Sequence, residues 1–215
     1  MKKQEILQIT AAILVLTAVS GFQYAINSDW LGVLNFFIFS AILIMVAVFS
    51  KKSMARILDA DVEHEIWQVS RYGFKPSWHL KKEIPGGIIF PIFFSIFSLG
   101  LFKVPTLLTY ETTALKRRAA RRFGYYSFTE MTEWHIAIIG AAGTLAVLIL
   151  SAIMYFYGSE NFAILATLYA FFNMIPISKL DGTQIFFGSK VLWTILAVLT
   201  LIFTFYALVI SLGII

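Results

Sequence analysis

The side chains of this 215-residue chain best suited to chemistry fall in two groups. The first is the stretch Phe171-Phe172-Asn173-Met174-Ile175-Pro176-Ile177-Ser178-Lys179-Leu180-Asp181-Gly182, where an apolar run breaks and delivers Asp181 just past its end. An ionised side chain at mid-depth in hydrocarbon costs on the order of 3 kcal/mol or more, so a carboxylate beside such a run needs water, a cation or a partner. Pro176 removes a backbone donor and Asn173 adds side-chain hydrogen bonding inside the apolar segment, so a helix is expected to break there. The second group lies in 51–72. Met54, Leu58, Val62, Ile66 and Val69 recur at helical spacing, and Asp61, His64, Glu65 and Gln68 fall at i, i+3, i+4 and i+7. The pattern predicts an amphipathic helix with one polar face. Such a face could hold a divalent metal, because imidazole and carboxylate both ligate zinc; the plainer reading is a solvated charged face.

The elements that must position these residues are apolar. Hydrophobic residues make up 59% of the chain and charged residues only 13%, with 21 Phe, which predicts a polytopic all-α membrane protein. No cysteine is present, so disulfides and thiolate metal sites are excluded. Apolar segments at about 6–25, 30–49, 134–157, 162–177 and 191–215 are the expected spans, each near the ~20 residues that cross the hydrocarbon core. Trp30, Trp134 and Trp193 stand where a headgroup boundary suits them. A signal peptide is the weaker reading of the first segment, which is long and has no clear small-residue cleavage site before the second.

Lys2 and Lys3 precede the first span and Lys51, Lys52 and Arg56 follow the second, while the links 26–29 and 158–161 carry no Lys or Arg. The positive-inside bias then predicts a cytoplasmic N-terminus, Lys179, Asp181 and Lys190 on the cytoplasmic side, and a C-terminus outside. The segment 84–108 is flanked by basic residues at both ends and interrupted by Pro85, Gly86, Gly87, Pro91, Gly100, Lys103 and Pro105. It reads either as a re-entrant or broken segment or as a sixth crossing, giving five or six transmembrane segments in all. The net charge of +5 fits cytoplasmic loops and anionic lipid rather than nucleic acid.

The order of these pieces resembles the site-2 protease family of intramembrane zinc metalloproteases. In that family a helix carries H-E-x-x-H, a later segment an A-G-P-x-A-N type sequence, and a third N-x-x-P-x-x-x-L-D-G. Asn173, Pro176, Leu180, Asp181 and Gly182 match the last pattern in spacing. Ala142-Gly143-Thr144-Leu145-Ala146-Val147 matches the middle one in part, with Thr144 for Pro and Val147 for Asn. His64-Glu65-Ile66-Trp67-Gln68 keeps the first His and the Glu of the zinc helix but has Gln68 for the second His. An alternative register anchored on Arg71-Tyr72-Gly73 puts Asp61 and Glu65 at the ligand positions and Val62 at that of the catalytic Glu.

The resemblance implies Zn2+ held by His64 and Asp181 with Gln68 or Asp61 as a third ligand. It implies Glu65 as general base on the bound water, and Asn173 and Pro176 as substrate or structural support. The substrate it implies is a transmembrane protein cleaved near the cytoplasmic side. An inactive relative that binds or regulates membrane proteins is the alternative, favoured by Gln68. A transporter is the third reading, although no internal repeat is visible. His79 and His135 are expected at the membrane interface, and 116–122 as a positive-inside anchor or a site for anionic lipid or an acidic partner.

Overall fold

The computed structural model describes residues 2–71, 79–115 and 131–211. Tyr72, Gly73, the basic cluster 116–122 and the end of the last expected span lie outside the described residues, as does the side chain of His79.

Helix α1 (Lys3–Ser20) continues past a bend at Gly21 into the short α2 (Phe22–Ile26), and α3 (Trp30–Ile57) runs back beside it. Asp29 caps α3 by accepting from the Gly32 amide at 3.0 Å. At 28 residues α3 is about 42 Å long, more than the ~30 Å of a bilayer core. Helices α5 (Glu133–Phe156), α6 (Glu160–Met174) and α8 (Lys190–Ser211) complete the bundle, with the short α7 (Asp181–Gly188) between α6 and α8. Among the described residues four helices, α1, α3, α5 and α8, are long and apolar enough to cross a membrane. Leu16, Leu43, Ile44, Leu148 and Phe162 are buried between α1, α3, α5 and α6, whereas Leu31, Phe49, Phe156, Ile195 and Phe205 face outward. Such an apolar perimeter suits a lipid solvent. We call the end of the bundle where α1 begins and α3 finishes the base, and the opposite end distal.

The expected helix over 51–72 is corrected. α3 ends at Ile57, Asp59 turns the chain in the left-handed region at φ 52°, and strand β1 (Ala60–Ile66) follows. Val62 and Ile66, four apart, fit a helical stripe, but the acids Asp61, Glu63 and Glu65 also alternate with Val62, His64 and Ile66. The alternation prevails because β4 (Leu108–Ala114) is available to pair antiparallel, with His64 opposite Tyr110 and Ile66 opposite Leu108. The free edge of β1 is covered by α1: the His64 amide donates to Glu5 Oε1 at 3.3 Å and the Ile66 amide to Gln8 Oε1 at 2.9 Å. One turn of helix thereby matches two residues of strand and blunts an edge that would otherwise invite pairing.

A second small ladder joins β2 (Val69–Arg71) to β3 (His79–Ile84). Helix α4 (Gly86–Phe97) then climbs beside α1 until Ser95 reaches the Val19 carbonyl and Gly100 packs on Phe22 and Gln23. The chain returns without helix to Leu107, whose carbonyl accepts from the Trp67 amide at 2.9 Å. Both ends of 84–108 therefore lie at the base, so the segment is a hairpin with one helical arm.

Candidate functional site

α6 stops at Met174 because Ile175, preceding Pro176, is driven to extended geometry at φ −65° and ψ 127°. The chain turns through Ser178, at φ 55°, and re-enters helix at Asp181. A Cβ on Gly182 would lie 2.0 Å from the Met174 carbonyl oxygen, so only glycine lets α7 cross the broken end of α6. This break brings Asp181 into the protein. Its Oδ2 accepts from Lys51 Nζ at 2.5 Å, and the two side chains are 5% and 3% exposed.

Lys51 comes from α3, some 32 Å along the helix from Trp30, which sets the pair near the base. Its ammonium also lies 4.6 Å from the centroid of the Tyr110 ring, and the Tyr110 hydroxyl donates to the Ile136 carbonyl at 2.8 Å. Gly143 makes room for the lysine stem, because a Cβ there would meet Lys51 Cε at 2.6 Å. Thr144 and Val147 of the same segment, together with Asn173, border a cavity of ≈ 10 Å³ beside the pair, about the smallest that admits one water. Asn173 Nδ2 donates to the Tyr169 carbonyl at 2.9 Å, while Asn173 Oδ1 and Asp181 Oδ1 are buried without partners among the described residues.

Burial pushes the Asp181 carboxyl above the usual range, and the Lys51 ammonium draws it back down. Burial, and after it the charge of Asp181, holds the Tyr110 phenol well above its ordinary value. The arrangement is therefore a charge-compensated pair.

A second, partly buried pair stands on another face of α3. Lys52, about 100° around the helix from Lys51, reaches Glu5 Oε1 at 2.6 Å. His64 Nδ1 lies 3.3 Å from the same oxygen. That contact alone would favour an imidazolium, but burial, followed by the charges of Lys51 and Lys52, lowers the ring to about 2. Burial prevails because Lys52 already answers the Glu5 charge, so a neutral ring donates Nδ1–H to Glu5 and leaves Nε2 buried without a partner among the described residues.

The expected polar row is split by the strand. Asp61, Glu63 and Glu65 face out, where Glu63 pairs with Lys2, while His64 faces in and Gln68 falls in the link before β2. Among the described residues no group of three or more His, Cys, Asp or Glu side chains comes together. Where zinc would lie against Asp181 the structure offers one carboxylate and one ammonium, and the ammonium would repel a metal ion. These residues do not fit a tetrahedral zinc centre, which takes thiolate, imidazole or carboxylate ligands.

The middle and last segments of the expected site do converge, since Gly143, Thr144 and Val147 lie against Lys51 and Asp181. The helix that faces them is α3, carrying Ser50-Lys51-Lys52-Ser53-Met54, and not the segment with His64 and Glu65. Sequence reasoning missed Glu5, Lys51, Lys52 and Tyr110. By sequence both lysines read as flanking charges of a span; the signal available is that α3 has to be longer than a bilayer core to reach them. Comparison with protein-family models, with characterised proteins and with solved structures found no match.

Proposed function

We propose that this chain is an integral membrane protein of site-2 protease-like design that no longer cleaves peptides. In this reading it binds or regulates transmembrane partners through the scaffold of the old site. The observation that carries the reading is the Lys51–Asp181 pair: an ammonium at 2.5 Å takes the place beside the Leu-Asp-Gly carboxylate that a metal takes in the family. The basic residues around the base support a cytoplasmic N-terminus and a distal end outside.

An apolar groove of ≈ 320 Å³ supports a binding role. It runs between the hairpin 84–108 and the broken end of α6, lined by Trp67, Phe90, Phe94, Phe102, Phe172 and Leu180. Leu180 joins it directly to Asp181. An apolar transmembrane segment is the chemistry that such a groove receives, and without an activated water the segment would be held and not cut.

Metal analysis of the protein purified without chelator tests the reading. We expect zinc well below one per chain, with the same value in Asp181→Asn, and no cleavage of a reporter with a transmembrane segment. One zinc per chain that Asp181→Asn abolishes would overturn it.

A further inference from the structure

We propose that the distal end of the bundle holds one phospholipid with a zwitterionic headgroup. The phosphate sits at Lys103, the headgroup amine at Glu160, and an acyl chain lies in the groove between α5, α6 and α8. The inference rests on the membrane reading but not on the loss of protease activity.

Two adjoining cavities carry it. The first, ≈ 300 Å³, is lined by Lys103, Glu160, Asn161 and Ser211, with Ile164 and Ile210 among its apolar walls. Lys103 comes from the returning arm of the hairpin. It is half-buried, lies 5.3 Å from the centroid of the Phe36 ring, and has no ion-pair partner among the described residues. A half-buried ammonium at the edge of an apolar bundle calls for an anion. The N-terminus of the 15-residue α6 opens at the same recess through Glu160 and Asn161, adding partial positive charge and unsatisfied amides.

Glu160 lines the recess without closing an ion pair on Lys103. Separated charges of both signs match a headgroup whose phosphate and amine are themselves separated. They match a simple anion less well, because the carboxylate would repel it.

The second cavity, ≈ 440 Å³, shares Ile164 and Ile210 with the first and continues along α8 to Ile202, about 12 Å away. Its remaining walls include Ala152, Phe156, Phe203 and Ala207. The polar groups it contains are engaged with one another: Ser151 Oγ with Thr167 Oγ1 at 2.8 Å, and the Tyr206 hydroxyl with that of Tyr155 at 2.8 Å. The groove thus offers an occupant almost only apolar surface, and it opens among the outward Ile202, Phe205 and Phe156 side chains. A polar recess sharing a wall with an apolar channel, both facing lipid, has the division of an amphiphile.

Native mass spectrometry of the full chain tests this, after exchange into detergent and incubation with phosphatidylethanolamine. We expect one retained lipid per chain. Retention should fall about tenfold in Lys103→Met, which removes the phosphate contact, and about tenfold in Ala152→Phe, which fills the groove from a half-buried position. Lys190→Gln, at the base, should retain it as wild type does. Wild-type protein that retains no lipid, or both variants retaining it undiminished, overturns the proposal. So does glycerophosphoethanolamine, which lacks chains, competing as well as the whole lipid. A variant that loses lipid counts only if its thermal midpoint in detergent is within a few degrees of wild type. If one fails that check, the other decides. Lipid loss with zinc still absent would leave the proposed function standing.

Discussion

Lys51→Met and Asp181→Asn should each cost several kcal/mol, and the loss in Lys51→Met should shrink as pH falls. Both groups are nearly inaccessible, at 3% and 5% side-chain exposure, so either left alone cannot recover its hydration. In Lys51→Met the Asp181 carboxyl escapes by protonating. With an ordinary pKa near 3.9 that costs about 4 kcal/mol at pH 7 but only about 1.5 kcal/mol at pH 5. In Asp181→Asn the ammonium stays buried and loses its counter-charge, which costs several kcal/mol.

The sign follows from linkage. A carboxyl whose folded pKa exceeds its unfolded value makes the folded state bind more protons, so Lys51→Met gains stability relative to wild type as pH falls from 7 to 5. The double variant Lys51→Met/Asp181→Leu buries no charge and should lie within about 2 kcal/mol of wild type, or above it, giving a coupling of at least ~3 kcal/mol. Reversible unfolding in mixed micelles by an anionic denaturant, followed by tryptophan fluorescence at pH 5, 7 and 9, measures all four corners of the cycle. Additive single effects, or Lys51→Met with no pH dependence relative to wild type, would refute the buried pair as the organising contact of the site.

His64 provides an independent acid response. Its folded pKa of about 2 lies below the unfolded value near 6.5, so its contribution is intact above pH 6.5 and drains away at up to about 1.4 kcal/mol per pH unit as pH falls towards 2. His64→Gln should flatten the pH 6.5 to 5 part of the wild-type stability profile, and an unchanged slope would show that other groups carry it. Gly182→Ala should destabilise by more than about 2 kcal/mol or prevent folding, because its Cβ would fall 2.0 Å from the Met174 carbonyl oxygen. A thermal midpoint equal to wild type would mean that the α6–α7 crossing is looser than that contact implies. Gly143→Val should displace the stem of Lys51 and lower stability by ~2 kcal/mol, read in the same denaturation assay.

Local physics sufficed for a good deal of this molecule. The long apolar runs had to become helices with few charges, and Ile175-Pro176 had to end one of them, because a residue before proline is sterically excluded from the helical region. Gly182 and Asp181 could be picked out as consequential from their place after that break. The return of 84–108 to its starting side was one of two alternatives open from its flanking charges and its Pro and Gly content.

What local physics left open was which partner each charged group would meet. The residues 60–66 satisfy a helical and a two-residue period at once, and the choice between them is made by β4, more than 40 positions further on, and by the Glu5 and Gln8 side chains on α1. That choice sends His64 to Glu5 and turns Glu65 outward, so the side chains that looked like a metal-binding row never share a face. Asp181 was legible as a carboxylate in need of water, a cation or a partner. That the cation is Lys51 depends on the length of α3, on the space above Gly143 and on the ring of Tyr110, all contacts between segments distant in the chain. Sequence determined that a carboxylate would need compensation here, and tertiary structure decided how it is neutralised, because neutralisation depends on distances of a few ångströms between groups that periodicity cannot relate.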